Sequence, residues 1–126
     1  MEPMTRQEVF DTVATHLMTQ RERASLNGQC QYKDPEGLKC AVGCLIPDDV
    51  YSPQMEGKSV RVLLASSPGI MLRPLAAHLN MLSSLQDVHD RVHVSHWSRR
   101  LFRIAETYGL SPAVLKAFET SSDCES

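Results

Sequence analysis

The segment CQYKDPEGLKCAVGCLIPDD, residues 30–49, carries three of the four cysteines of the chain. Thiols at this density have three chemical fates: metal ligand, nucleophile or small buried hydrophobe. A tetrahedral zinc site wants four soft ligands. Cys30, Cys40 and Cys44 supply three, spaced by nine and by three intervening residues. The fourth ligand would have to be borrowed from His89, His93, His96 or Cys124. Free cysteine in a reducing compartment more commonly packs as a small hydrophobe. The expectation is therefore no cofactor, with zinc as the alternative.

A nucleophile needs a base and a group to orient that base. Cys40 would be activated at a helix amino terminus, with His89 as base and Asp87 or Asp90 as orienter. That assigns Cys40, His89 and Asp90 as the candidates of a thiol-dependent enzyme. No glycine-rich phosphate loop, HExxH or GxSxG string accompanies them. Without such a motif, an enzyme is the runner-up reading.

Nucleic acid is a third chemistry. Arg91 to Arg103 holds four arginines and no acid. Arg99, Arg100 and Arg103 lie on one candidate helix, where they would meet phosphates. The stretch IAETYGLSPAVLKAF resembles a helix-turn-helix in pattern. Ala105 permits close approach, Gly109 makes the turn, and Ile104, Tyr108, Leu110, Leu115 and Phe118 take buried positions. Its second helix, SPAVLKAFET, offers only Lys116 for phosphate and nothing for base edges. The pair reads as a packing corner.

The opposite charge gathers elsewhere. Five acids, Asp34, Glu36, Asp48, Asp49 and Glu56, stand against Lys39 alone between residues 34 and 56. Acids interleaved with Tyr32, Tyr51 and Met55 on irregular backbone make the kind of loop surface that carries binding. Tyr32, Asp48, Asp49, Tyr51, Met55 and Glu56 are accordingly the expected partner contacts. A local role competes for two of them, because Asp48 or Asp49 would also suit capping the turn toward Tyr51.

The elements that position these groups are mostly helical. Thr5-Arg6-Gln7-Glu8 is a capping box, and Val9, Val13 and Leu17 then share a face, so a helix is expected over 5–21. Asn27-Gly28 is expected to close it and turn the chain. Asp34-Pro35-Glu36-Gly37 suits a type I turn with Gly37 left-handed, giving a hairpin from Cys30 to Cys40 in which Asp34 faces Leu38 and Tyr32 faces Cys40. Cys30 and Cys40 are then diagonal neighbours, roughly 7–8 Å apart, which disfavours a disulfide. The hairpin and the cysteine-rich acidic loop occupy 30–57, and a short helix follows at 60–65. Ser66-Ser67-Pro68-Gly69 breaks the chain. A helix over 74–92 carries the core stripe Leu75, Leu79, Leu82 and Leu85. Ser95 is the expected N-cap of the helix-turn-helix-like pair over 95–120, with Gly109 the left-handed cap of its first helix.

A chain of 126 residues fits a single domain, 1–126. The expected fold class is mainly α: a small helical bundle of four to five helices with one short β-hairpin. Apolar runs are too short to span a bilayer, and MEPMTRQEVF lacks the basic and apolar regions of a secretory signal. A cytoplasmic location and no membrane partner follow as expectations.

The string CxYxxxxGLKCAVGxLIPDxxYxxxMEG, Cys30 to Gly57, together with LQDVHD and the Trp97 helix ending at Gly109-Leu110, resembles a family of small uncharacterised tailed-phage and prophage proteins. The resemblance covers most of the chain. It implies a setting inside a bacterial host cell and, by analogy with small phage accessory proteins, binding to and inhibition of a host protein, including defence systems. The family pattern admits alanine at Cys44, which speaks against a zinc site needing all three cysteines.

Overall fold

The computed structural model describes residues 4–65 and 74–123. In chain order the elements are α1 (Arg6–Gln20), β1 (Ser25–Leu26), β2 (Gln29–Cys30), α2 (Val60–Ala65), α3 (Leu79–Arg91), α4 (Trp97–Thr107) and α5 (Ala113–Asp123). Short 3-10 turns at Gly43–Leu45, Pro53–Met55 and Val94–His96 punctuate the loops. The mainly α expectation holds, with five helices and one two-stranded antiparallel hairpin among the described residues. The chain break expected at Ser66 to Gly69 and the thiol of Cys124 lie outside them.

Helix α1 starts where the capping box places it. Glu8 donates its amide to Thr5 Oγ1 at 3.1 Å, and Thr5 returns its own amide to Glu8 Oε1 at 2.8 Å. The helix ends at Arg21, which adopts a left-handed φ of 50° and donates its amide to Leu17 O. Asn27-Gly28 therefore closes no helix. Its two positive φ values, 53° and 82°, fit the type I′ turn that joins β1 to β2, with Ser25 opposite Cys30 and Leu26 opposite Gln29. The ladder thus lies before Cys30 rather than after it. The turn at Asp34 also forms, in the expected register, but closes only a single bridge, Lys33 to Lys39. Gly37 takes a φ of 91° there.

The expected helix over 74–92 divides. Residues 74–78 wind as 3-10 turns and the α-helix proper begins at Leu79. Ser95 is not a cap: His93 caps the turn before α4, its Nδ1 accepting the Ser95 amide at 3.2 Å. Gly109, φ 66°, terminates α4, and Leu110 donates its amide back to Ala105 O at 2.8 Å.

The core gathers Val9, Phe10, Val13, Ala14 and Leu17 of α1, Leu63 of α2, Leu82 and Leu85 of α3, and Trp97, Leu101 and Ala105 of α4, all fully buried or nearly so. Helix α5 adds Leu115 and packs on α1, while α4 packs on α3 and α1. The α4–α5 pair is a corner of the core. Gln7 fastens it: its side-chain amide donates to Ser111 O at 3.0 Å and accepts the Ser111 amide at 2.9 Å.

Candidate functional site

Residues 31–58 pack seven residues into the core with little regular structure, so their backbone groups must be satisfied in some other way. Side chains do it. Gln20, on the last turn of α1, accepts the Lys39 amide at 3.0 Å and donates to Lys39 O at 2.8 Å, which also accepts from His16 Nε2. Gln86 of α3 accepts the Val42 amide at 3.1 Å. Asp34 accepts the amides of Glu36 and Leu38 within its own turn, both at 2.9 Å. Glu56 accepts the Tyr32 amide at 2.8 Å, the Lys33 amide at 3.1 Å and the Tyr51 hydroxyl at 2.7 Å. Gly43 completes the seal: a Cβ there would collide with the backbone carbonyl of Tyr32, so only glycine lets the two strands of loop lie this close.

These braces redistribute the six expected contact residues. Tyr32 and Met55 are buried, with Tyr32 donating its hydroxyl to Lys58 O. Glu56 spends its carboxylate inside the loop, and burial, helped by the Glu56 carboxylate, raises the Tyr51 hydroxyl to about 12. Tyr32, Met55 and Glu56 are thus structural members of the loop, because its backbone has no helix or sheet to satisfy it. Asp48 and Asp49 are exposed, and Tyr51 is half-buried against the core. Asp48 receives Lys39 Nζ at 3.0 Å and Lys33 Nζ at 3.6 Å, which holds its carboxyl below the ordinary value. Neither aspartate caps the following turn, whose Val50 and Tyr51 amides both go to Pro47 O.

The thiols are held apart. Cys40 is fully buried, accepts the Gly43 amide on Sγ at 3.2 Å, and is pushed up to about 12 by burial. Cys44 donates its thiol to Ala41 O and is likewise raised to about 12. His89 serves neither. It is fully buried beside Trp97, ring centroids 5.8 Å apart, and both nitrogens are engaged. Nε2 accepts the Ala24 amide at 3.0 Å, so the ring proton sits on Nδ1 and is donated to Asp90 Oδ1 at 2.6 Å.

Cys30, not Cys40, meets this pair. Among the described residues, Cys30, His89 and Asp90 form the one group of metal-ligating side chains whose ligand atoms lie within 4.8 Å of one another. The alternative zinc trio Cys30, Cys40 and Cys44 does not converge among the described residues: Cys40 is buried in the main core and Cys44 packs against it. The residues that do converge do not fit a metal either, because the lone pair of Nε2 is committed to Ala24 and Nδ1 carries a proton. Nor do they fit a nucleophile. A thiol–imidazole–carboxylate relay needs the ring to take the thiol proton, whereas here both ring nitrogens are engaged elsewhere and the thiol's hydrogen-bond partner is Asp90. Burial and the Asp90 charge raise the Cys30 thiol to about 11. Gln86 donates to the same Asp90 oxygen at 3.0 Å. Val42, Gln86, Asp90, His89 and Ala24 therefore form one polar strut between α3, the cysteine loop and the start of the hairpin.

The arginine candidates occupy another face. Arg99, Arg100 and Arg103 are exposed on α4 and make no ion pair with a described residue. Arg91 faces Asp87 at 3.8 Å, both largely exposed.

No protein-family model, curated protein or solved structure matches the chain. Sequence reasoning missed Asp34, Gln20 and Gln86 as braces. Asp34 alone had a signal, the Asp-Pro-x-Gly turn in which aspartate commonly accepts amides two residues on.

Proposed function

We propose that this is a non-enzymatic binding protein of phage type that engages a host protein through the exposed rim of the 32–56 loop, with inhibition of that host protein as the consequence. The observation that carries the reading is the bracing of an irregular loop by Gln20, Gln86, Asp34 and Glu56, which leaves Asp48 and Asp49 outward on a fixed backbone. A loop already held in one conformation loses less entropy when a partner docks. Thiols raised to about 11 or 12 and an imidazole engaged at both nitrogens offer no activated nucleophile to set against it.

The test is capture from bacterial lysate with the native chain and with the double variant Asp48→Asn/Asp49→Asn, followed by affinity measurements with the captured protein and melting measurements on both chains. Weaker affinity, with a reduced salt dependence and an unchanged melting temperature, is the expected result. Equal affinity of both chains for the same partner would remove the rim of the loop as the contact.

A further inference from the structure

Helices α3 and α4 pack against each other, contributing Leu82, Leu85, Trp97 and Leu101 to the core, and a groove of about 450 Å³ is lined by residues of both. Its aliphatic lining is Val88, Val92 and Ile104. Arg91, Arg100 and Arg103 stand around it. A second cleft of about 360 Å³ continues the surface, sharing Arg91, Val92 and Arg100 and adding Arg99, His93 and His96. The strip contains four arginines and one acid, Asp87, whose pairing with Arg91 across 3.8 Å of exposed surface neutralises little. Arg100 and Arg103, three apart on one helix, line the same groove, and neither makes an ion pair with a described residue.

We propose that this groove binds an acidic, aliphatic peptide segment of another protein. An aliphatic side chain of the peptide sits on Val88, Val92 and Ile104, while flanking carboxylates receive the guanidinium groups of Arg91, Arg100 and Arg103, whose planar forks match carboxylate geometry. The volume falls within the range that accommodates a few side chains. Nucleic acid fits less well. A concave seam between two helices presents no element to enter a duplex groove, and single strands are held by exposed aromatic platforms. Trp97 is fully buried, and Phe102 lines neither cleft.

The proposal is tested by fluorescence anisotropy with four labelled probes: a peptide alternating Leu with Glu and Asp, an equally charged peptide of Glu and Gly, and a single-stranded and a duplex DNA of similar length. The Leu-containing peptide should bind saturably, and about tenfold or more weakly to Arg100→Glu/Arg103→Glu. The Glu and Gly peptide should bind more weakly than the Leu-containing one. Should charge reversal disturb folding, as judged by circular dichroism, Arg100→Gln/Arg103→Gln gives the same reading with a smaller loss. Asp48→Asn/Asp49→Asn should leave peptide affinity unchanged, which separates this groove from the loop proposed above. Absence of saturable peptide binding, equal binding by the arginine variants, or no preference for Leu overturns the proposal. DNA bound more tightly than the peptide, and lost in the same variants, overturns it in favour of nucleic acid.

Discussion

Ala24 donates its backbone amide to Nε2 of His89 at 3.0 Å, across a sequence separation of 65 residues. The bond turns a histidine that chemistry would nominate as a base into a fixture of the core. His89→Ala should therefore empty a cavity beside Trp97 and leave the Ala24 amide unpaired, costing about 3 kcal/mol or more of folding free energy. Urea unfolding monitored by Trp97 fluorescence measures it. A loss below about 1 kcal/mol would mean that the strut does not hold the fold.

Thiol reactivity follows from the same arrangement. With Cys124 replaced by Ser, the native protein near neutral pH should react with iodoacetamide far more slowly than a free thiol, because Cys30 is raised to about 11 and Cys40 and Cys44 to about 12. Cys30, the half-buried thiol with access to the cleft beside Asp90, should react first, and all three should label in denaturant. Peptide mapping by mass spectrometry gives the order. Rapid native labelling of Cys40 would restore the thiol-enzyme reading.

Glu56 separates a structural role from a recognition role. Its carboxylate accepts two backbone amides and the Tyr51 hydroxyl, so Glu56→Ala should lower stability by about 2 kcal/mol. Glu56→Gln should also destabilise, since an amide group offers one acceptor oxygen where the carboxylate offers two. Thermal melts of both variants check this. A residue reserved for partner contact would leave the melting temperature unmoved.

Acid should weaken the fold in part through His16. Burial holds its imidazole below the ordinary value of 6.5, outweighing the hydrogen bond its Nε2 donates to Lys39 O. Above 6.5 the ring is neutral in both folded and unfolded chains, and its contribution is complete. As pH falls through 6.5 the unfolded chain takes up the proton first, so stability declines until the folded ring also titrates. The gap in melting temperature between the native chain and His16→Gln should therefore narrow from about pH 7.5 to about pH 5. A gap that widens toward acid would contradict the sign.

Local chemistry made parts of this fold legible. The Thr5 capping box and the left-handed Gly109 each act over a few residues, and each appears where its pattern placed it. Asn27-Gly28 was ambiguous, because the same dipeptide serves as a helix stop or a hairpin turn, and the left-handed Arg21 decided the matter first. The braces of the cysteine loop were invisible for a different reason. Glutamine at positions 20 and 86 is unremarkable on a helix surface, and only the tertiary fold brings Lys39 and Val42 beside it. His89 and Asp90 stand out by type, yet the partners of the two ring nitrogens, Ala24 and Asp90, are set only by the tertiary fold.

The pairing of Gln7 with Ser111 sets a schedule for the nascent chain. The two residues are separated by 104 positions, so the partner that fastens the first helix leaves the ribosome roughly 5–20 s after it. Through that interval Val9, Phe10, Val13 and Leu17 form an apolar stripe without the α4 and α5 surfaces that eventually cover it. A ribosome paused before Ser111 should hold a chain that recruits holdase chaperones, and one paused far enough beyond α5 to expose that helix should hold a chain that does not.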